Sequence, residues 1–335
     1  MLGANVFEND AFSLESLTAA VNREPYRPGQ VSSLGIFDED SVSTTSVSIE
    51  ERNGQLSLVE PTLRGGPGET VGGEDRKKRL FPIDHYERND TIKADEVQNV
   101  RAFGTTDQLE TIQQRIEQRG QRHAQDLTMT LEHQRVGAIK GIVTSKGGTV
   151  LHDLYAEFGI AVPAQVSLKL DVETTKVGNI WQDVIYALED DLDEPYDGIH
   201  VFTGREFHRK LWQHKSVTET FLYHSGANVL RQDVPDKFEF GGAIWERYKT
   251  GAKATADLGS PYIAHNEARV IVKGVPDLFI TRFAPADYEE TVNTLGLPFY
   301  AKQYAMANGK GRHLDVQMNA ISLCTNPKSL RKLVI

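Results

Sequence analysis

An α+β fold is the class this sequence predicts, and three observations predict it. Residues 106–140 repeat apolar side chains at helical spacing over about ten turns. Several short β-branched runs bounded by glycine alternate with a period of two. The two kinds of segment do not follow the regular strand–helix–strand order of a parallel sheet. No internal repeat organises the 335 residues, and at roughly 150 residues per domain the length fits about two domains.

The elements can be justified in order. Residues 1–30 begin with an amphipathic piece carrying Phe7, Phe12, Leu14, Leu17 and Val21, which Pro25 and Pro28 break, so that 23–30 reads as an extended arm. From Val42 to Glu50 β-branched and polar residues mix at strand spacing, and Asn53-Gly54 is a hairpin turn signal between Ile49 and Leu56. A glycine-rich stretch, Gly65 to Gly73, precedes the basic run Arg76-Lys77-Lys78-Arg79 and an extended Leu80, Phe81, Ile83 and Tyr86. Two strand-like arms around a glycine-rich tip read as a long protruding hairpin. Such a ribbon buries too little surface to stand alone, which predicts a partner surface, a second copy of the chain.

In the helix at 106–140, Leu109, Ile112, Ile116, His123, Leu127, Leu131 and Ile139 fall on one face, and Glu110, Arg115, Gln118, Arg122, Asp126 and Gln134 on the other. Gly120 sits inside it, where glycine costs about 1 kcal/mol relative to alanine, and marks a bend or a close packing contact. A hairpin follows, Gly141 to Thr144 and Thr149 to Leu151 around Lys146-Gly147-Gly148. Residues 174–192 are helical and run into the acidic stretch Glu189 to Glu194; His200 to Phe202 is a buried strand and Phe207 to His214 a helix. Strands are predicted at Phe238 to Phe240, Val270 to Val272 and Leu278 to Ile280. A period-two strand runs through Asp315, Val316, Gln317, Met318 and Asn319.

Composition narrows the function classes. The net charge of −10 lacks the basic balance of proteins that grip nucleic acid through phosphates, yet an acidic wall can enclose DNA without holding it. Cys324 is the one cysteine, so no intrachain disulfide or cysteine metal cluster forms, in keeping with a reducing cytoplasm. Met1 to Val6 shows no secretory pattern, and no window approaches the roughly 18 apolar residues of a membrane span.

Chemical motifs are sparse. Gly65 to Gly73 contains Pro67, lacks a Gly-Lys-Ser/Thr ending and opens no helix, so it reads as a loop tip and not a phosphate cradle. The ten histidines form no HExxH; His123 and His133 are ten residues apart and face different sides of their helix. The Glu189 to Glu194 cluster lacks EF-hand spacing and reads as a solvated loop. Ser225-Gly226 is no nucleophile elbow, and Cys324 has no assigned base. No catalytic, cofactor or metal residues are predicted. The Arg76 to Arg79 run reads as an inter-subunit ion-pair patch in preference to a nucleic-acid grip.

The order of elements — arm, long hairpin, long helix, glycine-turn hairpin, central domain, closing strand — resembles the major capsid protein E family of tailed phages, the lambda-type branch of the HK97-like fold. The phrases carrying the resemblance are Ile36-Phe37 with Thr45 to Glu51, Lys140 to Ile160, Gly241 to Tyr248, Phe283 to Asp287 and Asn326-Pro327. It spans about residues 25–332. The resemblance implies an N-terminal arm at 1–40, an extended E-loop at 41–100, a peripheral (P) domain with a spine helix at 101–165, an axial (A) domain near 166–290, and a return to the P domain at 291–335. It implies a non-catalytic subunit that assembles as pentamers and hexamers into an icosahedral head around double-stranded DNA. That head would belong to the virion, be assembled in the host cytoplasm, bind no membrane and read no DNA sequence. The implied partners are a portal protein, a scaffolding protein encoded as a separate chain, and in some members a decoration protein. The expected contacts on a neighbouring copy are Leu58, Leu63, Arg76, Lys77, Lys78, Arg79, Leu80 and Phe81, with Gly120 as the bend that lets one sequence fit two ring sizes. No Lys–Asn pair is identified for a covalent crosslink. The competing readings are a tail or decoration protein, or an α+β hydrolase or nucleotide-binding enzyme. Such an enzyme would need a pocket with convergent titratable groups.

Overall fold

The long amphipathic stretch and the closing strand build one hydrophobic core together. A computed structural model describes residues 13–23, 29–52, 76–97, 112–192, 194–224 and 234–335. It divides into two compact units, one formed by residues 1–47, 82–136 and 279–323, the other by 48–81, 137–278 and 324–335.

In the first unit the core lies between helices and one face of a five-stranded sheet. The strands are β1 (Asp38–Ser41), β4 (Asp84–Lys93), β12 (Phe279–Phe283), β13 (Tyr300–Ala305) and β14 (Gly311–Cys324). β14 is the spine of the sheet: it pairs antiparallel with β13 and along ten residues with β4, and β12 follows it with β1 parallel at the edge. Helix α4 (Ile112–Lys140) lays Ile116, Ala124, Leu127 and Leu131 against Leu314, Val316, Met318 and Ala320 of β14. Helix α1 (Leu14–Arg23) adds Leu17 and Val21, and rides on β13 where Ala301 N donates to Thr18 Oγ1 at 3.1 Å. The short helices α2 (Gln30–Ser33) and α3 (Ala94–Val97) complete this unit.

α4 is 29 residues long, about 43 Å of helix. The helix runs unbroken through Gly120, which is buried. A methyl group built there would lie 3.5 Å from Val21 Cγ2, an ordinary packing distance. Helical spacing predicts His123 on the apolar line and Gln134 on the polar face, and the structure corrects both. His123 stands beside Asp90, its Nε2 3.4 Å from Oδ2, and Gly120 and Ala124 take the core line instead. Gln134 is fully buried, donating to Asp84, Tyr86 and the carbonyl of Ala320, because other segments wrap this half of the helix on both sides. The same wrapping buries Glu132, whose carboxylate accepts from Val31 N (2.9 Å), Ser32 N (3.0 Å) and Ser32 Oγ (2.6 Å) at the start of α2. A buried amide left without its acceptor costs about 1–3 kcal/mol, so Glu132→Ala is expected to lower unfolding free energy by about 2–4 kcal/mol in a urea titration.

The closing strand departs from expectation in an informative way. Its period-two pattern predicts one dry and one wet face, yet β14 is buried on both faces from Leu314 onward. The polar alternates are covered by the segment following β12. Gln317 Nε2 donates to Asp287 Oδ1 at 2.7 Å and Asn319 Nδ2 to the carbonyl of Pro285 at 3.1 Å.

The second unit carries a six-stranded sheet in the order β7 (Val166–Ser167), β15 (Arg331–Val334), β11 (Glu267–Lys273), β8 (Gly198–Thr203), β10 (Ala243–Arg247), β9 (Lys237–Phe240). β8 and β10 are parallel, and β11 runs antiparallel to both β8 and β15. Helices α6 (Val177–Glu189), α7 (Arg205–Gln213) and α8 (Lys215–His224) complete the core with an aromatic cluster: the Trp181 and Trp245 rings are 4.9 Å apart, and Phe207 stacks on Trp245 at 6.3 Å. Helix α9 (Ala252–Leu258) lies beyond β10 in the chain.

The predicted glycine-turn hairpin is β5 (Ile142–Thr144) with β6 (Val150–Asp153). α4 ends at Gly141, where φ is +82° and an added Cβ would sit 2.3 Å from the Tyr155 ring; both facts demand glycine. Asp153 then caps α5 (Leu154–Phe158), accepting from Tyr155 N and Ala156 N. The acidic stretch after α6 is not wholly solvated. Asp191 pairs with the buried guanidinium of Arg331, and its carbonyl accepts from Asn326 Nδ2 at 2.9 Å. Finally, β2 (Ser46–Arg52) and β3 (Arg76–Pro82) pair as a two-stranded ribbon.

Candidate assembly surfaces

β2 and β3 are the two arms read from the sequence; Asn53-Gly54, the glycine-rich stretch, Leu58 and Leu63 lie outside the described residues. Arg76, Lys77 and Lys78 fall on β3. The next three residues divide by the alternation of a strand. Phe81 is fully buried against Phe158 (5.9 Å between rings) and His152 (6.4 Å). Arg79 lies 5.2 Å over the Phe158 ring and donates to the carbonyls of Glu157 and Phe158, the last residues of α5. Cations are favoured at a helix C-terminus because the last carbonyls lack partners. Phe81 and Arg79 were expected on a neighbouring copy; they root the ribbon in their own chain, because α5 offers a ring and two carbonyls within reach. Leu80, between them, is 65% exposed.

A second surface escaped the sequence reading. Between β12 and β13, Val292 and Leu295 are 64% and 66% exposed and Leu297 is 44% exposed. The loop that holds them out is firmly built. Thr291 Oγ1 donates to the carbonyl of Ala286 (2.6 Å) and Gly296 N to that of Val42 (3.0 Å). Leu297 N donates to Tyr300 Oη at 2.9 Å, and Tyr300 Oη donates to the carbonyl of Leu295 at 3.2 Å. Three aliphatic side chains on an anchored loop form a preorganised apolar patch, the kind that marks a contact with another protein. The available signal was Val292 to Leu297 itself, three aliphatics in a turn-rich stretch with no strand or helix period.

Two titratable groups at a cavity of the second unit are held by their neighbours. A cavity of about 490 Å³ in the second unit is lined by Arg205, His208, Arg209, Asp236 and Arg247, among others. Lys249 and Arg247 both hold Asp236, at 2.5 Å each, and keep its carboxyl below the usual range. His208 is buried with its ring nitrogens on Thr203 Oγ1 and the carbonyl of Pro235, and burial lowers its pKa. Cys324 is buried, and burial pushes its thiol up to about 12. Among the described residues no group of three His, Cys, Asp or Glu side chains is placed to hold a metal ion, and no helix is long and apolar enough to cross a membrane.

The family model described as phage major capsid protein E matches residues 13–335. The major capsid protein of Pseudomonas phage KPP10 is 29% identical over 350 aligned positions, covering 96% of each chain. Among solved structures, the capsid of the native GTA particle superposes with a TM-score of 0.55 at 11% identity, covering 98% of this chain and 99% of that one. The capsid of cyanophage P-SCSP1u gives 0.50 at 13% identity over 93% and 90%.

Proposed function

This chain belongs to the phage major capsid protein E family, and from that premise we propose how its copies hold one another. Its role is structural: it has the HK97-like fold and forms the capsid of a virion. That identity takes the place of a tail, decoration or hydrolase reading. The finer arrangement is our reading. The subunits gather as pentamers and hexamers into an icosahedral shell around double-stranded DNA, assembled in the host cytoplasm. A portal, a separately encoded scaffold and, where present, a decoration protein join them. Residues 1–40 serve as the N-terminal arm, 41–100 as the E-loop, 101–165 and 291–335 as the P domain and 166–290 as the A domain.

The observation that carries this reading is the β2–β3 ribbon, anchored by Phe81 and Arg79 and presenting an exposed Leu80. Leu80, with Leu58, Leu63 and Arg76 to Lys78, lies on an adjoining copy. The apolar loop at Val292, Leu295 and Leu297 is a second contact of the same kind. Obligate interfaces of repeated subunits commonly exceed about 2,000 Å², so several such patches per chain are needed. Leu80→Asp is expected to lower shell yield several-fold in sedimentation of the expressed protein while leaving the thermal unfolding of the free subunit unchanged. Unaltered shell yield would refute the placement of the ribbon.

A further inference from the structure

The polar face of β14, under the loop that bears Val292 and Leu295, gathers carboxylates. Glu87 on β4 and Asp287 on the covering segment both act electrostatically on Asp315 of β14, and all three acids act on Tyr288. Asp315 is 6% exposed. Asn89, with its amide nitrogen turned toward them, donates to Glu87 Oε1 at 2.9 Å and to Asp315 Oδ1 at 3.2 Å, so one amide spans the two acids.

The other groups facing the cluster offset it only in part, and the Asp315 pKa stays raised. Lys302, the cross-strand neighbour of Asp315, spends its ammonium on Glu290 at 2.7 and 2.8 Å. His85 stands 3.7 Å from Glu87 and also bonds Asn319, and His313 faces Asp315. Tyr304 donates to Asp315. Two neighbouring polar atoms are buried without a partner: the Tyr288 hydroxyl, and Oε1 of Gln317, whose amide nitrogen holds Asp287. The neighbouring acids disfavour the Asp315 carboxylate, and a buried acceptor without a donor costs about 1–3 kcal/mol. A carboxyl proton relieves the repulsion and is a donor of the kind Gln317 Oε1 lacks.

We infer that Asp315, with Glu87 and Asp287 beside it, is the protonation-dependent element of a latch that fastens the segment 284–297, and with it the apolar patch, to the sheet. Its regulatory consequence rests on the proposed role of that patch as a subunit contact. Burial first, then the neighbouring acids, raises the Asp315 pKa above its ordinary value. A group whose folded pKa is raised contributes stability that is full below the unfolded value and is lost as pH rises through the folded one. The latch is therefore tight in acid and slack toward neutrality.

The test is hydrogen exchange of segment 284–297 in the full-length, unassembled chain, expressed as protection factors so that the intrinsic pH dependence cancels. Protection in the wild type is expected to fall several-fold as pH rises from about 4 to about 7, the direction that a raised folded-state pKa requires. In Asp315→Asn it should stay flat, at the wild-type acid level. Glu87→Gln, on a different strand, should make the profile shallower without abolishing it, since burial remains, and keeps the test decisive if the first variant does not fold. A variant that retains the wild-type slope, or that loses protection at pH 7, overturns the latch. Shell formation is scored separately. A pH-dependent protection with shells that tolerate Val292→Asp and Leu295→Asp supports the latch and refutes the contact. A flat wild-type profile with shells that do not tolerate them refutes the latch alone.

Discussion

Chains carrying Val292→Asp and Leu295→Asp together are expected to fold and to form no closed shells. Both side chains are about two-thirds exposed in the isolated subunit, so the fold loses little; surface changes of this kind usually fall within about 0.5 kcal/mol. The contact loses much more. Burying one such aliphatic is worth about 1.5–3 kcal/mol, so two give up about 3–6 kcal/mol per contact, before the cost of burying two carboxylates. Each 1.4 kcal/mol is a factor of ten in affinity, and the loss recurs at every copy in a symmetric shell. Electron microscopy reads the shells and circular dichroism the fold. Wild-type numbers of closed particles from the double variant would remove this loop from the assembly surface.

The second large effect is expected inside one subunit. Gly204 joins β8 to α7, and a Cβ at that position would lie 1.8 Å from the carbonyl oxygen of Ala264 and 2.7 Å from that of His265. The obstacle is backbone, which cannot rotate away. The 264–267 segment is also pinned: Gly204 N donates to the carbonyl of Glu267 at 2.8 Å, and Glu206 N and Phe207 N both donate to that of His265 at 2.9 Å. Making room for one methyl group means retracting a strand entry that carries three hydrogen bonds. Gly204→Ala is therefore expected to cost at least about 3 kcal/mol in denaturant unfolding, beyond ordinary overpacking of a core. A loss under about 1 kcal/mol would mean that the segment yields.

The candidate surfaces were only partly legible in the sequence. The hairpin at 142–153 and the helix at 177–189 follow from neighbours a few residues apart: glycines in the turn, and Val177, Trp181, Val184, Ile185 and Leu188 at helical spacing. The ribbon was legible as two strands, but not the division of labour within it. Phe81 turns inward because Phe158, far along the chain, supplies a ring, and nothing near Phe81 announces that. Gln134 reads as a surface residue because its partners, Asp84, Tyr86 and Ala320, lie 48 or more positions away.

The sequence by itself determined the fold class, the long helices α4 and α6 and most of the strands, since these rest on periodicity and turn chemistry along the chain, while the order of elements carried the resemblance to the family. Only the tertiary structure decided which polar residues go under. Alternation on β14 promises a wet face through Asp315, Gln317 and Asn319, and the segment bearing Pro285 and Asp287 closes over it. Burial is a property of what another part of the chain brings to a surface, and local pattern carries no record of that distant cover. The same cover confines carboxylates beneath an exposed apolar loop, and so couples a protonation equilibrium to a contact surface.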